Sequence, residues 1–171
     1  RQRQMCIRDS TCTLASYNVW ANSRIVECIL TAGEQKANKI QESSFNTILK
    51  TVFHIWDAET IWLERLKGNS LNSWPSKSFK GSFEDTCNGA LLTSNEFKKF
   101  AAQLTVTDLD RKISYENLKG DSFTNTFFDV ITHVFNHSTF HRGQLVTMLR
   151  GAGFSDLEPT DLIAYYREQS Q

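Results

Sequence analysis

The sequence predicts an all-α protein, a four-helix bundle with a small β-hairpin between its third and fourth helices. Three observations carry that prediction. Four segments repeat apolar residues every three or four positions, the spacing of helices that bury one face. The stretches between them are rich in Gly, Ser and Asn, which break helices and form turns. One short stretch instead alternates around Lys119-Gly120-Asp121, the pattern of two strands joined by a tight turn.

The first helix is expected from Thr13 to about Ala32, with Leu14, Tyr17, Ala21, Ile25 and Cys28 on one side and Gly33 as its stop. Ser43 or Ser44 offers an N-cap for the second, which runs to Lys67 and Gly68. Its stripe of Phe45, Ile48, Leu49, Val52, Trp56, Leu63 and Leu66 is supplemented by Phe53, Ile61 and Trp62 elsewhere on the circumference. Such a helix is buried on more than one side. Residues 68–89 read as a long loop pinned by Trp74 and Phe79. Thr93 and Glu96 fit a capping box for the third helix, which ends near Thr105 with Phe97, Phe100, Ala101 and Leu104 inward. The hairpin follows from Lys112. Thr124 or Thr126 opens the fourth helix, Gly151 or Gly153 closes it, and a short terminal helix spans Asp161–Glu168.

With 171 residues the chain has the size of one domain. Its net charge is zero and it has no basic run, so the electrostatic footprint of a nucleic-acid binder is missing. No apolar run approaches the ~20 residues of a membrane span. Four cysteines without a Cys-x-x-Cys spacing read as free thiols in a reducing cytoplasm, the expected location. The opening segment, Arg1–Ser10, has no signal-peptide core and resembles translated adaptor readthrough. It is expected to be non-native, leaving residues 11–171 as the single domain. Without its three arginines and one aspartate the net charge is about −2.

Three of the four histidines lie on the fourth helix: His133, His137 and His141. At about 100° per residue, with Val134 at zero, the apolar stripe spans roughly −40° to +60°. His141 falls at about −20°, His137 at about −60° and His133 at about −100°, so the first two face inward best. They are also one turn apart, within reach of one ion. An i, i+4 histidine pair also arises by accident, and a histidine in an apolar stripe is often a core residue. The fourth, His54, lies about 160° from Val52, away from the main stripe of the second helix, though small neighbours Thr51 and Ala58 leave space beside it.

Three blocks together resemble the DinB/YfiT-like family of metal-binding four-helix bundles. They are Tyr17-Asn18-x-Trp20-Ala21-Asn22-x-Arg24; His54-Ile55-x-Asp57-Ala58-Glu59 with Leu63, Leu66 and Gly68 behind it; and His133-Val134-x-Asn136-His137-x-x-x-His141-Arg142-Gly143-Gln144. Asp161-Leu162-Ile163-x-Tyr165 resembles the family's ending, so the likeness covers residues 13–166. It implies a bundle with a crossover connection and a metal site of His54, His137 and His141, with His133 outside the ligand set. Three neutral imidazoles leave positions open, as in catalytic sites, for Zn, Ni, Fe or Mn. Gln144, Asn136 and Asp57 are candidates to orient the rings. Arg142 and Gly143, outside the stripe, are assigned to helix packing or a dimer contact. Characterised relatives include transferases of low-molecular-weight thiols such as bacillithiol or mycothiol. The resemblance thus implies a metal-dependent thiol transferase, or a metal-assisted hydrolase, acting on a small molecule in stress or detoxification and forming a homodimer. A non-catalytic metal- or ligand-binding stress protein is the alternative. No acid/base pair beside the site can be picked out. Asp57 and Glu59 are near His54 only along the helix, and no Arg/Lys cluster accompanies the histidines apart from Arg142 and Arg150.

Overall fold

A computed structural model describes residues 2–117 and 119–170. Arg1 and Gln171, the outer ends of the expected extension and domain, lie outside the described residues, as does Leu118. Four long helices make the body: α1 (Gln2–Ala32), α3 (Ile48–Leu66), α4 (Phe83–Gln103) and α6 (Phe127–Gly151). Short helices α2 (Glu34–Ala37), α5 (Val106–Leu109) and α7 (Leu162–Gln169) and the strands β1 (Lys112–Glu116) and β2 (Ser122–Thr126) fill the connections. The predicted bundle and hairpin are both present. Helices α1 and α3 each pack on α4 and α6, so α1 and α3 are diagonal partners. The chain therefore crosses one end of the bundle between them, through α2 and the loop to Thr47.

Several boundaries move, each for a local reason. Helix α1 starts at Gln2 rather than Thr13, because the polar opening contains no Gly or Pro to stop it. Arg8, in that opening, donates to the carbonyls of Leu104 and Ala102 at the end of α4. Helix α3 is capped by Thr47, whose hydroxyl accepts from Lys50 N, and not by Ser43 or Ser44. Asn46 takes a left-handed turn (φ 48) just before it, which leaves Phe45 in the loop. Helix α4 begins at Phe83, ten residues before the expected cap. Its capping box is Ser82 with Asp85, not Thr93 with Glu96. The same Ser/Thr-x-x-Asp box opens α5 (Thr105, Asp108) and α6 (Thr126, Asp129). The loop after α3 is correspondingly shorter and carries a 3-10 turn at Pro75–Lys77.

The strands pair antiparallel with Ser114 opposite Thr124, and their hydroxyls bond at 2.9 Å. The Asn117 side chain accepts from the amides of Lys119 and Asp121, and Gly120 (φ 88) supplies the left-handed residue the turn requires. The core divides into a cluster around Ile29, Ile48 and Leu149 and another around Leu63, Phe97 and Ile131. Between them lies a polar layer. Glu59 (1% exposed) accepts from Asn18 at 2.7 Å, Asn22 at 3.1 Å, Ser94 at 2.5 Å and Ser138 at 2.9 Å. Arg142 (2% exposed) donates to the side-chain oxygens of the same two asparagines, at 2.6 and 2.8 Å, and to Thr139. Each asparagine thus turns its NH2 to the acid and its C=O to the base. This corrects the outward placement of Arg142. At about 80° from Val134 it lies beyond the apolar stripe, but the buried face of α6 is wider than its apolar residues.

Candidate metal centre

Two helices and two loops build the site. On α6, His137 and His141 are one turn apart, and Gln144 adds a third position on the same face. On α3, His54 lies on the side away from the Val52 stripe. That side is covered too, which periodicity could not reveal because loops cover it. Phe45, delivered by the crossover segment, stacks on the His54 ring at 4.1 Å between centroids and meets His141 edge-on at 5.6 Å. Trp74, from the loop after α3, lies 6.4 Å from the His54 ring. That loop is held by Asp57, whose carboxylate accepts from the Ser76 amide (2.8 Å) and hydroxyl (2.6 Å). Phe79 packs on Phe53 and Trp56, so both expected pins are in place.

The three sequence-predicted residues converge. One ring nitrogen of each of His54, His137 and His141 lies within 4.8 Å of the others, so the group could hold a metal ion. The Nε2 atoms of His54 and His137 are 3.0 Å apart. Two nitrogens bound tetrahedrally at zinc distances are about 3.3 Å apart, so little movement is needed to admit a cation. Burial, then the neighbouring His141, hold the His54 pKa down at about 4. Burial, then His141, His54 and His133, hold His137 at about 3. Both rings are therefore neutral near pH 7, the state in which imidazole offers a lone pair. His137 Nδ1 is buried with no hydrogen-bond partner, a state it shares among the described residues with Arg142 Nε in the polar layer and Gln41 Nε2.

Gln144 Oε1 lies 2.8 Å from His141 Nδ1, while its amide nitrogen donates to Ser44 Oγ at 3.3 Å. A carboxamide oxygen only accepts, so His141 Nδ1 carries a proton, and Nε2 is the nitrogen left to serve as a ligand atom. Of the three expected orienting residues, Gln144 alone does this among the described residues. Asp57 is committed to Ser76, and Asn136 is exposed. His133 remains outside the three-histidine group. It packs edge-on against Trp62 at 5.4 Å and lines, with His54 and His137, a cavity of about 310 Å³. Ala58, Ile61, Trp62, Arg65, Trp74, Asn117 and Lys119 complete its wall. Arg65 and Lys119 are the residues that sequence reasoning missed. The signal for Arg65 was available, since it is eleven residues from His54, which returns it to within about 20° of the same helix face.

The chain's own buried thiols have no part here. Burial pushes Cys87 up to about 11 and raises Cys28 as well, so neither is a ready nucleophile. Among the described residues no helix is long and apolar enough to cross a membrane.

The chain is 26% identical to the protein DinB of Bacillus subtilis (strain 168) over 159 residues, which cover 89% of this chain and 91% of that one. The DinB family model matches residues 5–170. With the match running almost end to end, through the crossover, the hairpin and all three histidines, the chain belongs to the DinB family.

Proposed function

We propose that the protein is a metal-dependent enzyme in which His54, His137 and His141 hold a divalent transition metal, Zn, Ni, Fe or Mn. The reaction we assign is transfer of a low-molecular-weight thiol to a small electrophile, with metal-assisted hydrolysis as its close variant, in cytoplasmic stress or detoxification chemistry. The homodimer implied by the family likeness belongs to the same proposal. The observation that carries this reading is the pairing of three convergent imidazoles, one with an unpartnered ring nitrogen, with an open cavity on one side of them. A cation held by three imidazoles with positions open lowers the pKa of a bound water or thiol.

The chain's own residues supply the rest. Gln144 fixes the His141 tautomer. Phe45 and Trp74 shield His54 from bulk water, which strengthens electrostatic interactions at the rings. The cavity wall of Ala58, Ile61 and Trp62 offers an apolar surface to a small molecule. Cys28 and Cys87 are buried in the core, and in this reading the reacting thiol is the low-molecular-weight thiol.

The test is metal content of untagged protein purified without chelator, beside His54→Ala and His137→Ala. About one transition metal per chain, lost in both variants, supports the site and leads to thiol-transfer assays. Metal retained in His54→Ala overturns the ligand set. No metal in the wild type, even after reconstitution, overturns the enzymatic reading and leaves the three rings as core residues. A loaded protein inactive with every thiol and ester tried favours the non-catalytic metal-binding alternative.

A further inference from the structure

The α3 face that carries His54 continues past the histidines. Ala58, Ile61, Trp62 and Arg65 follow at i+4, i+7, i+8 and i+11, and all of them line the same cavity. The cavity therefore has histidines at one end, an apolar middle and cations at the other end, where Lys119 joins Arg65. The Arg65 guanidinium lies 4.5 Å from the Trp62 ring centroid and 4.7 Å from that of Tyr115. One N–H donates to the Glu116 carbonyl at 2.8 Å. Among the described residues no carboxylate pairs with it, whereas Arg24 and Arg111 both have acidic partners. Aromatic stacking thus holds the cation in place and leaves the rest of its edge as hydrogen-bond donors. A guanidinium edge matches a planar carboxylate through two parallel bonds. Eleven residues separate the two ends, about 16 Å along the helix axis before the side chains reach into the space between.

We propose that this cavity binds a small elongated carboxylate, its apolar, aromatic body lying against Ile61 and Trp62 and its carboxylate taken by the edge of Arg65. The far end then reaches His54 and His137; calling that end the reacting one rests on the metal-enzyme reading above. Lys119, on the hairpin turn, adds a second positive charge at the carboxylate end.

The probes are biphenyl-4-carboxylate and its neutral carboxamide. Binding to chelator-treated protein is followed by the fluorescence of the cavity tryptophans and confirmed calorimetrically. The carboxylate should bind at least about ten-fold tighter than the carboxamide, as expected for a charge-assisted hydrogen bond. Arg65→Gln should bring the two within about two-fold, and Lys119→Gln should shrink the preference less. Equal affinities, no binding of either probe, or a preference that survives in Arg65→Gln overturns the assignment. So does a preference that appears only with metal present, because the carboxylate is then held at the histidine end. The wild-type comparison stands even if Arg65→Gln fails to fold. Metal content is measured on the same preparations. Metal uptake without a carboxylate preference removes this inference alone. A preference in a chain that takes up no metal removes the metal-enzyme reading and leaves the carboxylate site.

Discussion

The bundle contains two polar clusters side by side on α6, where Ser138 follows His137 and Arg142 follows His141, and they are built to opposite specifications. Around Glu59 and Arg142 the carboxylate has four donors, both asparagines are used at both ends, and every long helix contributes a residue. Around His54, His137 and His141, two ring nitrogens face each other, a third has no partner, and a cavity opens alongside. Burying polar groups is costly unless their hydrogen bonds are met, and in the first cluster the carboxylate, both asparagines and two guanidinium nitrogens are met, with Arg142 Nε alone left over. That cluster specifies which helices meet and in what register. The second is incomplete within the chain, and incompleteness beside a cavity is what a ligand site requires. The family-like block His141-Arg142-Gly143-Gln144 serves both: His141 and Gln144 belong to the open cluster and Arg142 to the closed one.

Substitution can separate the two. The largest effect is expected from Arg142→Met, which removes the cation from the network around Glu59 and leaves the asparagine oxygens unpaired. A loss of about 3–5 kcal/mol in denaturant-induced unfolding is expected. A loss under about 1 kcal/mol would show that the network is no lock. Next comes Gln144→Leu. It should leave the unfolding midpoint nearly unchanged while weakening metal affinity about 10–100-fold, measured by competition with a chromophoric chelator. An equal loss of fold stability would move Gln144 into the structural cluster. The smallest effect is expected from His54→Ala in metal-free protein, within about 1 kcal/mol of wild type by the same denaturant measurement. A large loss would mean that the histidines hold the bundle together as the acid and base do.

Periodicity reached further in the helices than in the loops. It placed His137 and His141 correctly because both lie on an amphipathic helix whose apolar face is its buried face. His54 escaped it, since the side chains that cover His54 are Phe45 and Trp74, both in loops, and Phe45 had been counted in the stripe of the helix that in fact begins at Ile48. Only the likeness to known sequences picked it out. Arg142 was misplaced because the inward sector had been drawn from apolar residues alone. Ser138, at about 40° and fully buried, shows that polar groups share it. The start of α4 was misread for a simpler reason: three helices here open with Asp in the capping box, and the Glu-containing match at Thr93 drew attention from Ser82.

The separation of the ligand set along the chain has a consequence for synthesis. His54 leaves the ribosome 83 residues ahead of His137. Until the last quarter of the protein is translated, the nascent chain therefore carries His54 without the other two rings. If the three histidines hold a metal as proposed, tight capture would wait until α6 docks on α3, and loading would report that the fold is finished. A truncated product ending before α6 would compete poorly for scarce metal in the cell.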